Sequence, residues 1–216
     1  MKTPPGFSCY VRNRRRLDDD LKSPRLCPDL CEPDILVVEV DSVLFRNCYI
    51  LPESSRSDWT AWSDKSPWDS FFDNTLACLQ FNLPLISAGD FNARTGDLSP
   101  DPVSFFRDSS DKTISPRGRA LVNLCQEHDF LLLNGCTSIP GSHSSTTSFQ
   151  KRKGTDSRYF LVETVIDYFL VPSLLFPFCT SFLVHPETKW SNHAPLLLDI
   201  ITPSPAPASV PYKHAQ

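Results

Sequence analysis

The stretch that decides the reading is Leu83-Pro84-Leu85-Ile86-Ser87-Ala88-Gly89-Asp90-Phe91-Asn92-Ala93-Arg94-Thr95. Leu83 to Ala88 is an apolar run that reads as a short buried strand ended by Gly89, since glycine lets the backbone turn sharply. Asp90 and Asn92 then sit at a strand end, where catalytic side chains often gather on a rigid scaffold. Alternation along an extended chain puts these two residues on one face and Phe91 on the other, pointing into the core. A carboxylate and an amide two residues apart can bind a hard cation or a phosphate oxygen together. The competing reading is a plain turn, because Asp and Asn are favoured in turns for local reasons.

Three further segments weigh against a plain turn. Val165-Ile166-Asp167-Tyr168-Phe169-Leu170-Val171 is strand-like with one acid near its start, and a carboxylate in an apolar strand is costly unless paired or ligated. Ser191-Asn192-His193-Ala194-Pro195 precedes the apolar strand Leu196 to Ile200. Upstream, Asn47-Cys48-Tyr49-Ile50-Leu51-Pro52 closes another strand with a tyrosine beside a proline-containing turn.

This ordered set resembles the endonuclease/exonuclease/phosphatase (DNase-I-like) superfamily, and within it the apurinic-type endonucleases of non-LTR retrotransposons. Arg117-Gly118-Arg119-Ala120-Leu121, Leu124-Cys125 and Asp129 to Gly135 fit that subgroup's spacing, and the likeness runs from about Gly6 to Ile201. It implies a four-layer α/β sandwich of two packed mixed sheets flanked by helices. It also implies hydrolysis of a phosphodiester or phosphomonoester with Mg²⁺ or Mn²⁺, with DNA as the partner. By that resemblance Asp90 orients and deprotonates the attacking water and Asn92 donates to the phosphate. His193 hydrogen-bonds a non-bridging oxygen, held by Asp167, and Tyr49 donates its hydroxyl to the phosphate or leaving group. A His–Asp pair makes physical sense, because the acid fixes the tautomer and favours the charged imidazole.

Two departures mark the chain. Where the family's last motif carries an Asp that helps to hold the metal, this chain has Asn192, a neutral oxygen in place of a charge, so cation affinity should fall. The family's earliest motifs, an Asn after the first strand and a metal-binding Glu after the second, are absent. Glu39 comes too soon before Tyr49 to be that Glu and reads as an ordinary strand residue. The expectation is a domain incomplete at its N-terminus, residues 1–201, with an impaired site, followed by a Pro-rich tail at 202–216. Met1 is the only methionine. Two other readings stand beside the nuclease: a catalytically dead remnant that binds nucleic acid or a partner, and a phosphatase of the same fold acting on a small phosphate ester.

With 216 residues, 40% hydrophobic and 21% charged, the chain is long enough for one sizeable core. Twenty Pro against seven Gly implies many fixed turns. A net charge of −4 gives no global attraction to nucleic acid, so DNA contact must come from local patches. The candidates are Arg12 with Arg14 to Arg16, Lys151-Arg152-Lys153, and Arg94 with Arg117 and Arg119. Most of the eight cysteines, including Cys9, Cys48, Cys78, Cys125 and Cys179, lie in apolar patterns and read as buried thiols. No second Cys/His pair answers Cys27 and Cys31 at zinc spacing. The first residues lack a signal-peptide apolar core, which points to a reduced intracellular compartment, nucleus or cytoplasm. No apolar run approaches the ~20 residues that span a bilayer.

Along the chain the pattern predicts strands at Phe7–Arg12, Asp34–Val40, Val43–Ile50, from Leu83, at Phe130–Leu133, Leu161–Val171, Pro177–Val184 and Pro195–Ile201. Helices are expected from Pro67 and over Gly118–His128. Arg14–Pro33, Ser57–Pro67 and much of Ser142–Arg158 read as polar loop, the last with a short strand. With its first strands missing, a sandwich leaves edges at Asp34–Val40 and at Leu161-Val162 open to self-association.

Overall fold

The computed structural model describes residues 9–13 (backbone only), 23–52, 64–101, 103–141, 145–153, 159–185 and 191–201. The start of the first predicted strand, the Arg14–Arg16 patch, most of the Ser57–Pro67 loop and the tail at 202–216 lie outside these residues, as does the side chain of Arg12.

Two mixed sheets form the centre. The six-stranded sheet runs in the order β2 (Arg25–Leu26), β3 (Ile35–Val40), β4 (Val43–Tyr49), β5 (Leu85–Asp90), β9 (Asp167–Pro172), β6 (Phe130–Leu132). The three-stranded sheet is β1 (Cys9–Asn13), β11 (Leu196–Ile200), β10 (Cys179–Val184), and β7 (Ser148–Lys153) pairs with β8 (Tyr159–Thr164) as a separate ribbon. The β4–β5 and β1–β11 pairs are parallel and the others antiparallel. A parallel pair needs a crossover, and α1 (Pro67–Leu79) supplies it between β4 and β5.

The period of two in the central strands sorts their side chains into two cores. Leu44, Cys48, Leu85, Phe130, Leu132, Tyr168 and Leu170 point to one face, where α1 and α2 (Pro116–Glu127) contribute Phe71, Cys78, Leu121, Leu124 and Cys125. Val43, Ile86, Ala88, Leu131, Leu133, Phe169 and Val171 point to the other and meet Phe182, Leu196, Leu198 and Ile200 of the three-stranded sheet. The expected packing of two mixed sheets with flanking helices is therefore present. Both described α-helices lie on the outer face of the larger sheet.

Both helices start where local chemistry places them. Ser66 and Ser115 are N-caps, their hydroxyls accepting from the N–H of Asp69 at 3.1 Å and of Gly118 at 3.0 Å, each followed by proline at the first helical position. The second helix thus begins two residues before the predicted Gly118. Any side chain at Gly118 would lie 1.9 Å from the carbonyl oxygen of Arg94, so this glycine lets α2 sit directly on the loop after Asp90.

Several boundaries differ from the sequence reading. Gly89 does not end its strand. It lies inside β5 at φ +154°, where an added Cβ would meet the carbonyl of Cys48 at 1.9 Å, so its role is close approach to β4. The predicted strand Leu161–Val171 is two strands, interrupted at Val165-Ile166, where the amides of Ile166 and Asp167 turn to the hydroxyl of Thr147 at 3.0 and 3.1 Å. Pro177 belongs to a 3₁₀ helix, Ser173–Phe178, so the next strand begins at Cys179. The stretch read as loop before Pro33 contains β2 and a 3₁₀ turn, Pro28–Leu30. Because β2 pairs with Val38 and Glu39, and the amide of Cys27 bonds to Val37, the edge expected at Asp34–Val40 is covered there. The segment Leu161-Val162 is likewise paired, with Lys151 and Gln150 of β7. Glu39 is an ordinary strand residue, ion-paired to Arg25.

Candidate active site

Asp90 is the last residue of β5 and Asp167 the first of β9, and the antiparallel register sets them directly opposite each other. Both belong by alternation to the face that meets the three-stranded sheet, at the end where that sheet's β11 begins. The residue two positions before β11, Ala194, is preceded by His193, which a β-bridge to Ser148 fixes in place. The imidazole Nδ1 lies 3.0 and 3.1 Å from the two carboxylate oxygens of Asp167, while Nε2 lies 3.9 Å from Asp90 Oδ2. The three residues predicted from separate segments thus form one cluster.

Its electrostatics follow from burial. Asp167 is fully enclosed and Asp90 nearly so. Desolvation, and then the charge of Asp167, pushes the Asp90 carboxyl up to about 7, against the pull of His193 and the amide of Asn92. Burial also raises Asp167, countered by its bonds to His193 and Thr147. For His193 burial favours the neutral ring, but the hydrogen bond and charge of Asp167 and then the charge of Asp90 outweigh it, and its pKa is raised. With Nδ1 held by Asp167, the imidazole presents Nε2 to the space beside Asp90. Nε2, 3.9 Å from Asp90 Oδ2, can donate to a phosphate oxygen lying beside the pair, and the carboxylates can draw a small cation. The ligand atoms of Asp90, Asp167 and His193 lie within 4.8 Å of one another, a spread compatible with one divalent ion, and a buried carboxylate with a raised pKa gains from such a charge.

Asn92 is at the same site, in a more constrained state than alternation suggests. Its φ is 45°, a left-handed conformation that Asn tolerates. Its amide donates to Asp90 Oδ1 at 2.9 Å, and its side-chain Nδ2 donates to the carbonyl of Ile50 at 2.9 Å. The turn is present, and through the Asn92 amide it fixes one oxygen of Asp90. Tyr49 is opposite Asp90 in the parallel register of β4 and β5, half-buried, its phenol pKa raised by burial and then by the charges of Asp90 and Asp34. Asn192 is exposed, and its carbonyl accepts from the amide of Phe149 at 2.8 Å.

The basic residues divide. Arg94 is committed to Asp111 through two bonds of 2.6 Å, and Arg117 reaches back to the carbonyl of Leu51 at 2.6 Å, so both brace loops around the site. Lys151, Arg152 and Lys153, expected in a loop, lie on strand β7. They are exposed and register against Leu161, Phe160 and Tyr159 of β8, which are 47%, 52% and 71% exposed. The ribbon is rooted at the cluster, since Ser148 bridges to His193 and Thr147 accepts from Asp167. Asn134 and Thr147, which contact the peptide of Asp167, carry no role in the sequence reading. The only signal for Asn134 is an Asn-Gly pair closing the apolar run Phe130–Leu133.

Comparison with solved structures gives the same fold. The chain is similar to the endonuclease domain of TRAS1, a telomere-specific non-LTR retrotransposon, at 20% identity and a TM-score of 0.59, over 85% of this chain and 70% of that one. It is also similar to the 3′–5′ exonuclease NExo of Neisseria meningitidis, at 18% identity and a TM-score of 0.53, over 85% and 71%. A third likeness is to the 3′ phosphatase NExo from Neisseria bound to a product DNA hairpin, at 17% identity and a TM-score of 0.52, over 84% and 70%. No protein-family model and no curated protein sequence matches the chain. The chain has the DNase-I-like fold of the endonuclease/exonuclease/phosphatase proteins. Among the described residues no helix is long and apolar enough to cross a membrane.

Proposed function

We propose that the chain is a metal-dependent phosphodiester hydrolase acting on DNA, slowed by the neutral Asn192. The observation that carries this reading is the enclosed Asp90–Asp167–His193 cluster where β5 ends and β9 begins. Two carboxylates facing one imidazole destabilise the fold on their own account and suit a charged substrate. A carboxyl held near neutrality is a competent general base, and Asp90 in that role orients and deprotonates the attacking water. His193, whose pKa the flanking acids raise against the effect of burial, donates Nε2–H to a non-bridging phosphate oxygen, with Asp167 holding the ring. Asn92 retains one side-chain N–H for the phosphate after bonding Ile50, and Tyr49 offers its hydroxyl to the leaving group. Mg²⁺ or Mn²⁺, held through Asp90, would supply positive charge for the phosphate oxygens. The β7–β8 ribbon, with basic side chains on one strand and aromatic ones on the other, is suited to a nucleic-acid backbone and its bases.

The same ribbon favours a second reading, binding to DNA without cutting it. Supercoiled plasmid, incubated with excess protein in Mg²⁺ and in Mn²⁺, separates the two. The hydrolase reading expects slow nicking that needs the divalent ion and disappears in His193→Ala. DNA retained on a filter and never nicked would overturn it in favour of binding alone.

A further inference from the structure

The ladder between β6 and β9 ends too early for the residue that holds His193. Its last registered pair is Leu132 with Leu170, and one more bond follows, from the amide of Leu133 to the carbonyl of Phe169 at 3.0 Å. There the chain leaves the sheet, while β9 continues to Asp167. On the vacated side, the amide of Phe169 and the carbonyl of Asp167 would be buried without a partner, and such groups are costly.

The side chain of Asn134 takes that place. Its Oδ1 accepts from the amide of Phe169 at 3.2 Å, and its Nδ2 donates to the carbonyl of Asp167 at 2.9 Å. A carboxamide presents one acceptor and one donor in a plane, the pair that a neighbouring strand residue would offer. Asn134 is itself fixed: its carbonyl accepts from Arg107 Nε at 2.8 Å, and the same buried guanidinium reaches Thr95 Oγ1, in the loop after Asp90, at 3.3 Å. The peptide N–H of Asp167 is meanwhile taken by Thr147. Both polar groups of the Asp167 backbone are therefore held by side chains.

We infer that Asn134 is a positioning residue for the Asp167–His193 pair. It completes the strand that carries Asp167, so the carboxylate stays within hydrogen-bond distance of Nδ1 and Nε2 stays turned toward Asp90. The inference rests on the proposed function only in treating that pair as catalytic.

The test uses the full chain at one pH, without metal or substrate, so a failure of the nicking assay leaves it untouched. Nitrogen-15 NMR of the His193 ring reports which nitrogen carries the bonded proton and how fast that proton exchanges, and amide exchange at Phe169 reports the Asn134 contact. Asn134→Ala is expected to deprotect the Phe169 amide and to speed exchange of the Nδ1 proton. Asn134→Asp, isosteric and still able to accept from Phe169, is expected to spare the amide and still disturb the ring. Asn74→Ala removes a buried carboxamide on α1 and should change neither signal. Unchanged His193 ring signals in a folded Asn134 variant would overturn the inference and leave Asn134 a purely structural amide.

Discussion

Two buried polar clusters sit on opposite faces of the same sheet, and they are built differently. On the helix side, Arg46 of β4 is 2% exposed, and among the described residues no carboxylate is bonded to it. Its Nε donates to Ser87 at 3.0 Å and its Nη1 to Thr75 at 2.8 Å and Asn74 at 3.2 Å, with the guanidinium 4.3 Å over the Phe71 ring. One charge is shared among neutral acceptors and an aromatic face, which softens but does not cancel the cost of enclosing a cation. Burial lowers the guanidinium pKa, and its Nη2 is buried without a hydrogen-bond partner among the described residues. On the sheet side, Asp90 and Asp167 are like charges brought together by register, with one imidazole between them and the surface. The first cluster joins α1 to the sheet. The second works against the fold and is retained at a strand end, with the half-buried His193 as its outermost member. Burial alone does not distinguish structure from function. What separates these two is that one holds a single charge among neutral partners, while the other sets two like charges side by side.

The largest expected effect comes from removing the single charge of the first cluster. Arg46→Ala leaves Ser87, Thr75 and Asn74 without their donor and opens a cavity beside Phe71, and should destabilise the protein by about 2–5 kcal/mol. Denaturant unfolding measures the loss, and divalent-ion binding by the folded variant should stay as it was. If Arg46→Ala instead abolished ion binding and kept its stability, the two clusters would have been assigned the wrong way round.

The next effect is on chemistry. His193→Ala should reduce the slow plasmid nicking by about 10²-fold or more, the usual scale for losing a hydrogen-bond donor to the transition state. It should lower the unfolding midpoint as well, because the enclosed Asp167 carboxylate loses its imidazole partner. A variant that nicks as well as the parent would show the cluster to be structural on both faces.

The smallest effect expected is at position 192. Asn192→Asp replaces a neutral oxygen by a charged one and should tighten Mn²⁺ binding several-fold, on the order of 1 kcal/mol, without restoring fast nicking. Calorimetric titration of both forms decides it, and equal affinity would mean that residue 192 does not face the ion.

The same contrast explains what could be read from the amino-acid order. Asp90, Asp167 and Tyr49 stand out because each is a polar residue at the end of an apolar strand, and His193 because it shortly precedes one. Register sets Asp90 opposite Asp167, and the loop before β11 brings in His193 through its bridge to Ser148. The alternation of Leu85, Ile86, Ser87 and Ala88 carries the two-core architecture in the same way. Arg46 stays hidden, since a basic residue in Val43-Leu44-Phe45-Arg46-Asn47 looks like the exposed side of a strand until α1 brings Asn74 and Thr75 over it. The break at Val165-Ile166 is hidden for a related reason: it depends on the hydroxyl of Thr147, eighteen residues earlier. Gly89 misleads because glycine is used here for close approach to Cys48, which is a property of the neighbouring strand. Long-range partners, invisible to local pattern, account for each of these misses.

The central claim is that Asp90 is placed for function at the expense of the fold, and Asp90→Asn tests it directly. The folded-state pKa, near 7, lies above the unfolded value of 3.8. A raised carboxyl favours the fold only while protonated. That contribution is complete below the unfolded pKa and is lost as the pH rises through about 7. In chelator, the neutral amide should therefore be more stable than the parent at pH 8, by on the order of 1–3 kcal/mol, with the difference shrinking toward pH 5. The same variant should lose plasmid nicking in Mn²⁺ by about 10²-fold or more. Thermal melts at both pH values and the nicking assay, run on one preparation, give the answer. An Asp90→Asn protein that melts below the parent at pH 8 and nicks as fast would contradict the account.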